Sequence, residues 1–345
     1  MSAAAVNIGV IGLGHWGPNH VRVFGSLPGS RVVAVSDADA ARIERVRAAA
    51  PDAAAFGDAS ELLRESSADA VVIATPTATH YTLTKTALLA GKHVLCEKPL
   101  CLTSREGEEL TALAKAQDRI LMVGHVFLFN AGLLKIREML AAGELGKTHY
   151  MAAVRTNLGP FRSDVNAAWD LASHDISIFN WLLDAEPEAA VAMGASFLQP
   201  GTEDVVNVTL RYPGNVLATV LCSWLDPKKV RQLTVVGSTK MATWDDLNLT
   251  SPVAIYEKGA KTDLDTADYG QFLRVSMWDG DIRMPKVAQV EPLKAQAEHF
   301  LASIRDRTRP VADAAFATGV VRALERVTAA LRVAGGSDVT LPAHG

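Results

Sequence analysis

An apolar run, Val6-Asn7-Ile8-Gly9-Val10-Ile11, leads directly into Gly12-Leu13-Gly14-His15-Trp16-Gly17, and Asp37 follows twenty residues after the last glycine. A strand that ends in such a turn feeds a helix. The missing side chains let backbone N–H groups approach a pyrophosphate at the helix N-terminus. His15 and Trp16 lie within the turn and join Gly12, Gly14 and Gly17 as candidate cofactor contacts. A second apolar run, Val32-Val33-Ala34-Val35, delivers Asp37 to the place where a carboxylate accepts hydrogen bonds from an adenosine ribose. A carboxylate there repels a 2′-phosphate, so the expected coenzyme is NAD in preference to NADP.

At 345 residues the chain exceeds what one core usually supports, which points to two domains. A composition of 49% hydrophobic and 21% charged residues, with a net charge of -4 and no basic stripe, excludes a nucleic-acid or anionic-membrane partner. No charged n-region precedes the first strand, and no uninterrupted apolar run approaches about 18 residues, so the expectation is a cytoplasmic protein without a membrane span. Cys96, Cys101 and Cys222 lack CxxC spacing, which suits reduced thiols and offers neither a disulfide frame nor a zinc site. No metal is expected.

Through about residue 125, short β-rich runs alternate with helical stretches, the pattern of a doubly wound parallel sheet. The strands read as Val6–Ile11, Arg31–Val35, Ala53–Phe56, Ala70–Ala74, His93–Cys96 and Ile120–Val123, with crossover helices at Ala38–Ala50 and Arg105–Gln117. Beyond about residue 145, strict alternation in Tyr150–Thr156, Asp204–Arg211, Val216–Trp224 and Arg231–Val236 indicates an antiparallel sheet with one covered face. Tyr212-Pro213-Gly214-Asn215 supplies a turn. A helix over Ala167–Leu183 should pack on that sheet, Leu293–Ile304 and Ala314–Val333 read as closing helices, and Asp246–Val290 reads as loop-rich. The expected division is 1–125 for nucleotide binding, 126–312 for substrate binding and oligomerisation, and 313–345 as a helix packing back on the first domain.

Cys96-Glu97-Lys98-Pro99 closes the fifth strand and places Lys98 at the rim of the crevice, with Glu97 beside it as a cofactor contact. An amine there can hydrogen-bond a substrate hydroxyl and stabilise the alkoxide that develops as hydride leaves. The competing reading is a solvated lysine at a strand end. In Trp169-Asp170-Leu171-Ala172-Ser173-His174, Asp170 and His174 stand four apart and would share a helix face. The imidazole can take a hydroxyl proton while the carboxylate orients it or the substrate; alternatively the two form a helix-surface ion pair. Thr75, Pro76, Thr79 and His80 follow the fourth strand and would line the ribose and nicotinamide side, although Thr79 could equally cap a helix. His125 or Asn130, after the sixth strand, would stand where substrate enters. Arg155, Asn157 and Arg162 precede the Asp170 helix, and the arginines could grip a phosphate or carboxylate or simply pair at the surface. Trp169 completes the candidate substrate contacts.

These motifs, Gly12-x-Gly14-x-x-Gly17, Asp37, Ala74-Thr75-Pro76-x-x-x-His80, Glu97-Lys98-Pro99 and Asp170-x-x-x-His174, occur in the order and at the separations that resemble the Gfo/Idh/MocA family. The resemblance implies an N-terminal Rossmann domain and a C-terminal α+β domain whose open, mainly antiparallel sheet makes a homodimer or homotetramer. It also implies NAD(P)-dependent oxidation or reduction at a CH-OH group of a sugar or cyclitol, with Lys98 and His174 as the catalytic pair and Asp170 close by. Two departures stand out: Val165–Trp169 replaces a glycine-rich stretch, and Phe127–Ala131 replaces the usual Arg and Pro. Leu158–Asn166, followed by Trp169-Asp170-Leu171, looks most like members that oxidise UDP-linked amino sugars at the 3-position. An inositol or free-sugar dehydrogenase, or a ketoreductase, is the alternative within the family. An NAD-binding sensor or scaffold is the alternative outside it.

Overall fold

The computed structural model describes residues 5–263 and 274–335. The chain divides into two units, Met1–Asn130 with Val290–Arg322 and Ala131–Gln289 with Ala323–Gly345.

In the first unit the apolar runs form β1 (Val6–Ile11), β2 (Ser30–Ser36), β3 (Ala54–Phe56), β4 (Ala70–Ile73), β5 (His93–Cys96) and β6 (Leu121–Val123). All pair in parallel, in the order β3-β2-β1-β4-β5-β6. Every residue of β4 is buried, which is why its sequence is a continuous apolar run without alternation. Strand order reverses between β1 and β4, so a crevice opens at their carboxyl ends. The crossovers are α1 (Gly17–Ser26), α2 (Ala40–Val46), α3 (Ala59–Glu65), α4 (Thr77–Leu89) and α5 (Ser104–Ala116). Asp39 and Asp58 cap α2 and α3, and Thr103 with Glu106 forms a capping box at α5, each satisfying N–H groups that a helix start leaves orphaned.

The expected boundaries at 126–312 and 313–345 are corrected here. The helix α6 (Ala131–Ala141) opens the second unit, whereas α8 (Pro292–Asp306) belongs to the first. Its apolar stripe of Leu293, Ala297, Phe300 and Leu301 is buried, Phe300 meets Phe24 of α1 edge-on at 6.4 Å, and Glu291 pairs with Arg22. The last helix, α9 (Ala314–Gly335), belongs to the first unit only as far as Arg322. Within that unit Thr318 fills the space over Gly107, and Arg322 bonds Glu108 at 2.8 Å. Within the second unit Arg326 donates to the Pro187 carbonyl, and Thr328 accepts from the Trp169 indole at 2.9 Å.

The second unit holds β7 (Thr148–Leu158), α7 (Ser173–Leu183), β8 (Ala189–Ala195), β9 (Val205–Tyr212), β10 (Val216–Ser223), β11 (Leu225–Gly237), β12 (Met241–Asp245), β13 (Val253–Asp263) and β14 (Arg274–Arg283). Their order is β14-β13-β12-β11-β7-β10-β9-β8, antiparallel except between β10 and β7. Alternation sends Met151, Ala153, Val206, Val208, Leu210, Ala218 and Val220 inward, and Ile176, Phe179 and Trp181 of α7 are buried as well. The hydroxyl of Tyr212 on β9 donates to Asn180 of α7 at 2.7 Å. On the opposite parity Tyr150, Val191, Met193 and Leu217 are exposed. The Tyr212–Asn215 turn joins β9 to β10 with positive φ at Gly214 and Asn215. The loop-rich reading of Asp246–Val290 is overturned, since β13 and β14 pair there as an edge hairpin; part of that span, 264–273, lies outside the described residues.

Candidate active site

The three glycines of the first turn do different work. A Cβ on Gly12, where φ is +88°, would stand 2.7 Å from the Ala74 carbonyl oxygen, and one on Gly17 would stand 2.0 Å from that of Gly12. Both positions are closed by backbone. Gly14 is open, its nearest neighbour being the Arg42 guanidinium at 3.9 Å. The backbone N–H groups of Gly14, His15 and Trp16 donate to no protein acceptor among the described residues. His15 and Trp16 are exposed, with their rings edge to face at 5.6 Å. These open donors at the start of α1 fit a pyrophosphate. Asp37 binds the same turn: Oδ2 accepts from Leu13 N–H at 2.7 Å and Oδ1 from Asp39 N–H at 2.9 Å, with Arg42 3.6 Å away. Each carboxylate oxygen keeps a lone pair for a ribose hydroxyl.

After β4, Thr75 and Thr79 share a hydrogen bond of 2.7 Å, and Thr79 also donates to the Pro76 carbonyl. Pro76 is the cap residue of α4, so Thr79 lies within the first turn and does not cap the helix. His80 is buried, with Nδ1 2.7 Å from the Pro99 carbonyl and Nε2 2.9 Å from that of Thr75. It ties the end of β4 to the end of β5 and is turned into the fold, away from the ligand role expected of it.

Lys98 is half-buried at the end of β5. Glu97 beside it turns inward, its side chain 12% exposed, and its Oε1 lies 2.8 Å from Nε2 of His20 on α1. Burial alone would raise the Glu97 carboxyl, but the His20 hydrogen bond, the charges of His20 and Lys98 and the Lys98 N–H hold it below the usual carboxylate range. His125, fully buried after β6 with its ring edge-on to Phe316, has its pKa pushed down to about 3, first by burial and then by the Lys98 charge. It is neutral near pH 7. Asn130 is half-buried at the end of the Val126–Phe129 turn. Sequence reasoning missed His20, although its place three residues after Gly17 sets it one turn into α1 on the inward side.

In the second unit, Asp170 is gripped from two sides. Oδ2 accepts from the Trp224 indole at 3.1 Å and Oδ1 from Arg162 at 3.3 Å, while Arg162 also makes a bidentate pair with Asp164 at 2.9 and 2.6 Å. Phe161 stands edge-on to Trp224 at 6.5 Å. The expected helix over Ala167–Leu183 is present, with a π turn at Ala168–Ala172 that leads into α7 at Ser173. Asp170 therefore lies in the π turn and His174 in the first turn of α7, where it is half-buried. A π turn of this kind is frequent at functional sites. One expectation fails here: Arg155 is 2% exposed and committed to Asp175, so it grips no phosphate. The half-buried Asn157 amide donates to the Gly159 carbonyl. Trp169 spends its indole N–H on Thr328.

Residues 6–125 match the oxidoreductase family with an NAD-binding Rossmann fold, and residues 133–243 match the GFO/IDH/MocA C-terminal domain. The chain belongs to the Gfo/Idh/MocA family of oxidoreductases. It is 31% identical over 257 residues, 74% of its length and 78% of the relative's, to UDP-N-acetylglucosamine 3-dehydrogenase of Acidithiobacillus ferrooxidans. A solved structure of that dehydrogenase superposes with a TM-score of 0.79 at 26% identity, covering 96% of this chain and 99% of the other. Inositol 2-dehydrogenase 1 of Saccharopolyspora erythraea is 36% identical over 52% of this chain and 55% of its own. Family membership makes the domain over residues 6–125 an NAD-binding one. No group of three or more His, Cys, Asp or Glu suited to a metal occurs among the described residues, and no helix there is long and apolar enough to cross a membrane.

A surface cavity of about 470 Å³ in the second unit lies between Lys147–Tyr150 and the Gly214–Thr219 segment. It contains none of the expected site residues and sits on the open side of the sheet with Tyr150 and Leu217.

Proposed function

We propose that the chain oxidises a secondary hydroxyl of a nucleotide-linked sugar, in the manner of a 3-dehydrogenase, with NAD as coenzyme. Bound NAD supplies the acceptor for the hydride that leaves the carbinol carbon. Lys98 hydrogen-bonds the hydroxyl oxygen and stabilises the charge it gains; His174 accepts the hydroxyl proton; Asp170, fixed by Trp224 and Arg162, orients the sugar. Glu97, Thr75 and Thr79 serve the coenzyme side, and Arg162, bound to Asp164 and Asp170 but 29% exposed where Arg155 is 2% exposed, is the arginine for the phosphate groups. The carrying observation is the 31% identity, over three-quarters of the chain, to a dehydrogenase of a UDP-linked amino sugar. The similarity to inositol 2-dehydrogenases favours a cyclitol as the second reading.

The test is reduced-nicotinamide absorbance on mixing purified protein and NAD with UDP-N-acetylglucosamine, UDP-glucose, glucose and myo-inositol. Turnover confined to the UDP-sugars is the expected result. Turnover of myo-inositol alone would favour the cyclitol, and tight NAD binding without any turnover would favour a sensor. Lys98→Ala should lower kcat by at least about a hundredfold and leave NAD affinity within about threefold, because its bond strengthens as the alkoxide forms. We further infer that the exposed apolar side of the sheet, with Tyr150, Val191, Met193 and Leu217, is covered by a second copy of the chain, and that the three buried thiols belong to a cytoplasmic protein.

A further inference from the structure

The segment between β7 and the π turn is tied down along its length. Gly159 N–H donates to the Trp224 carbonyl at 3.0 Å, the Asn157 side chain donates to the Gly159 carbonyl, and Arg162 holds Asp164 at 2.9 and 2.6 Å and Asp170 at 3.3 Å. Phe161 stands in the middle of it. Its ring meets that of Trp224, a side chain only 1% exposed, at 6.5 Å with an interplanar angle of 86°. A Cβ on Gly159, where φ is +61°, would stand 3.4 Å from the same ring, so the chain lies close against it. Phe161 is nevertheless 44% exposed. Singly exposed apolar side chains are ordinary. A ring pinned by its neighbours, beside an arginine and a gripped carboxylate and with much of its surface in water, is preformed for a flat partner and loses little freedom on meeting one.

We propose that Phe161 is the stacking platform for the base of a nucleotide-linked substrate. The inference rests on the nucleotide-sugar reading above and deepens it, with Asp170 given to the sugar, Arg162 to the phosphates and Phe161 to the base. The three groups share one support: Trp224 carries the Phe161 ring at its edge and the Asp170 carboxylate on its indole N–H, and Arg162 reaches that same carboxylate. Uracil is neutral, so the Asp164 and Asp170 carboxylates do not repel it as they would a second phosphate. Every base has a π-face, and removing the aromatic side chain beneath a stacked base weakens binding by about tenfold or more. A leucine of similar bulk offers no such face.

The experiment is calorimetric titration of the full chain, with NAD at saturation so that the NAD-binding domain is occupied, using UDP and N-acetylglucosamine 1-phosphate as probes. UDP carries the base and lacks the sugar; the sugar phosphate is the reverse. Phe161→Ala should weaken UDP by about tenfold or more and leave the sugar phosphate within about twofold. Phe161→Leu keeps apolar bulk against Trp224 and should weaken UDP nearly as much, whereas Phe161→Trp should restore wild-type affinity. In turnover of UDP-N-acetylglucosamine, Phe161→Ala should raise KM by a similar factor with kcat within about twofold, the pattern of a contact made equally in ground and transition states. Equal weakening of both probes, full UDP affinity in folded Phe161→Leu, or a wild type that does not bind UDP would each overturn the proposal. The proposed reaction fails separately: turnover of myo-inositol without turnover of UDP-N-acetylglucosamine would remove it, while UDP binding that depends on the Phe161 ring would leave the platform standing.

Discussion

Arg155 clasps Asp175 through two hydrogen bonds, Nε to Oδ2 at 2.6 Å and Nη2 to Oδ1 at 3.0 Å, with both side chains 2% exposed. The pair fastens β7 to α7 inside the second unit. Removing one partner strands a buried charge, so Arg155→Met or Asp175→Asn should each cost about 3 to 5 kcal/mol, read from urea unfolding. The double variant Arg155→Met with Asp175→Leu should cost less than the two singles together. A normal melting curve with lost sugar affinity in Arg155→Met would instead make it a ligand.

Gly17→Ala should destroy coenzyme binding while leaving the second unit intact, because its methyl group would sit 2.0 Å from the Gly12 carbonyl and the turn must open to admit it. NAD titration followed by Trp16 fluorescence should show affinity weakened by at least about tenfold. Gly14→Ala meets open space and should act only by crowding the ligand.

Asp37→Asn keeps an acceptor for the Leu13 N–H and removes the charge. The ratio of NAD to NADP affinity should fall by about tenfold or more, since repulsion of the 2′-phosphate disappears while Arg42 stays nearby. An unchanged ratio would place the discrimination elsewhere.

Acid should weaken the first unit through two histidines. His125 is lowered to about 3, first by burial; His93, whose Nδ1 accepts the Ile120 N–H at 2.9 Å, is lowered to about 4, by burial and then by Arg119 and Arg307. Unfolded histidine has a pKa near 6.5, so as pH falls from there toward 4 and 3 the unfolded chain takes up protons that the native state refuses. Their stabilising contribution is complete above about pH 6.5 and is lost on descending through that window. Tm measured between pH 7 and 4 should fall, and His125→Phe should flatten the slope.

The first unit was readable because its inner strands β1, β4, β5 and β6 are largely buried and so appear as apolar runs, and because glycine is demanded at Gly12 and Gly17 by backbone contact. Arg155 was misread although the signal was present. It shares the parity of Met151 and Ala153 on β7, and period two sends it inward with them. The hairpin of β13 and β14 escaped notice because Glu257, Lys258, Gly259 and Lys261 break the apolar alternation on an edge pair with little core to fill. A spacing of four residues between Asp170 and His174 reads alike in an α-helix and across a π turn, so the sequence carries no mark of the difference. The His20–Glu97 bond joins positions 77 residues apart, which only the packing of α1 against the folded sheet brings together.

The extra residue in the Ala168–Ala172 turn reconciles two fixed points. Downstream, Arg155 sets the rotational phase of α7 through Asp175; upstream, Trp224 and Arg162 set the phase of Asp170. A regular helix cannot satisfy both, because shortening the loop by one residue swings everything before it by about 100°. A single-codon deletion in that segment would therefore detach the Asp170 carboxylate from its indole or the arginine from its partner, so length as well as side-chain identity is the inherited quantity at this point.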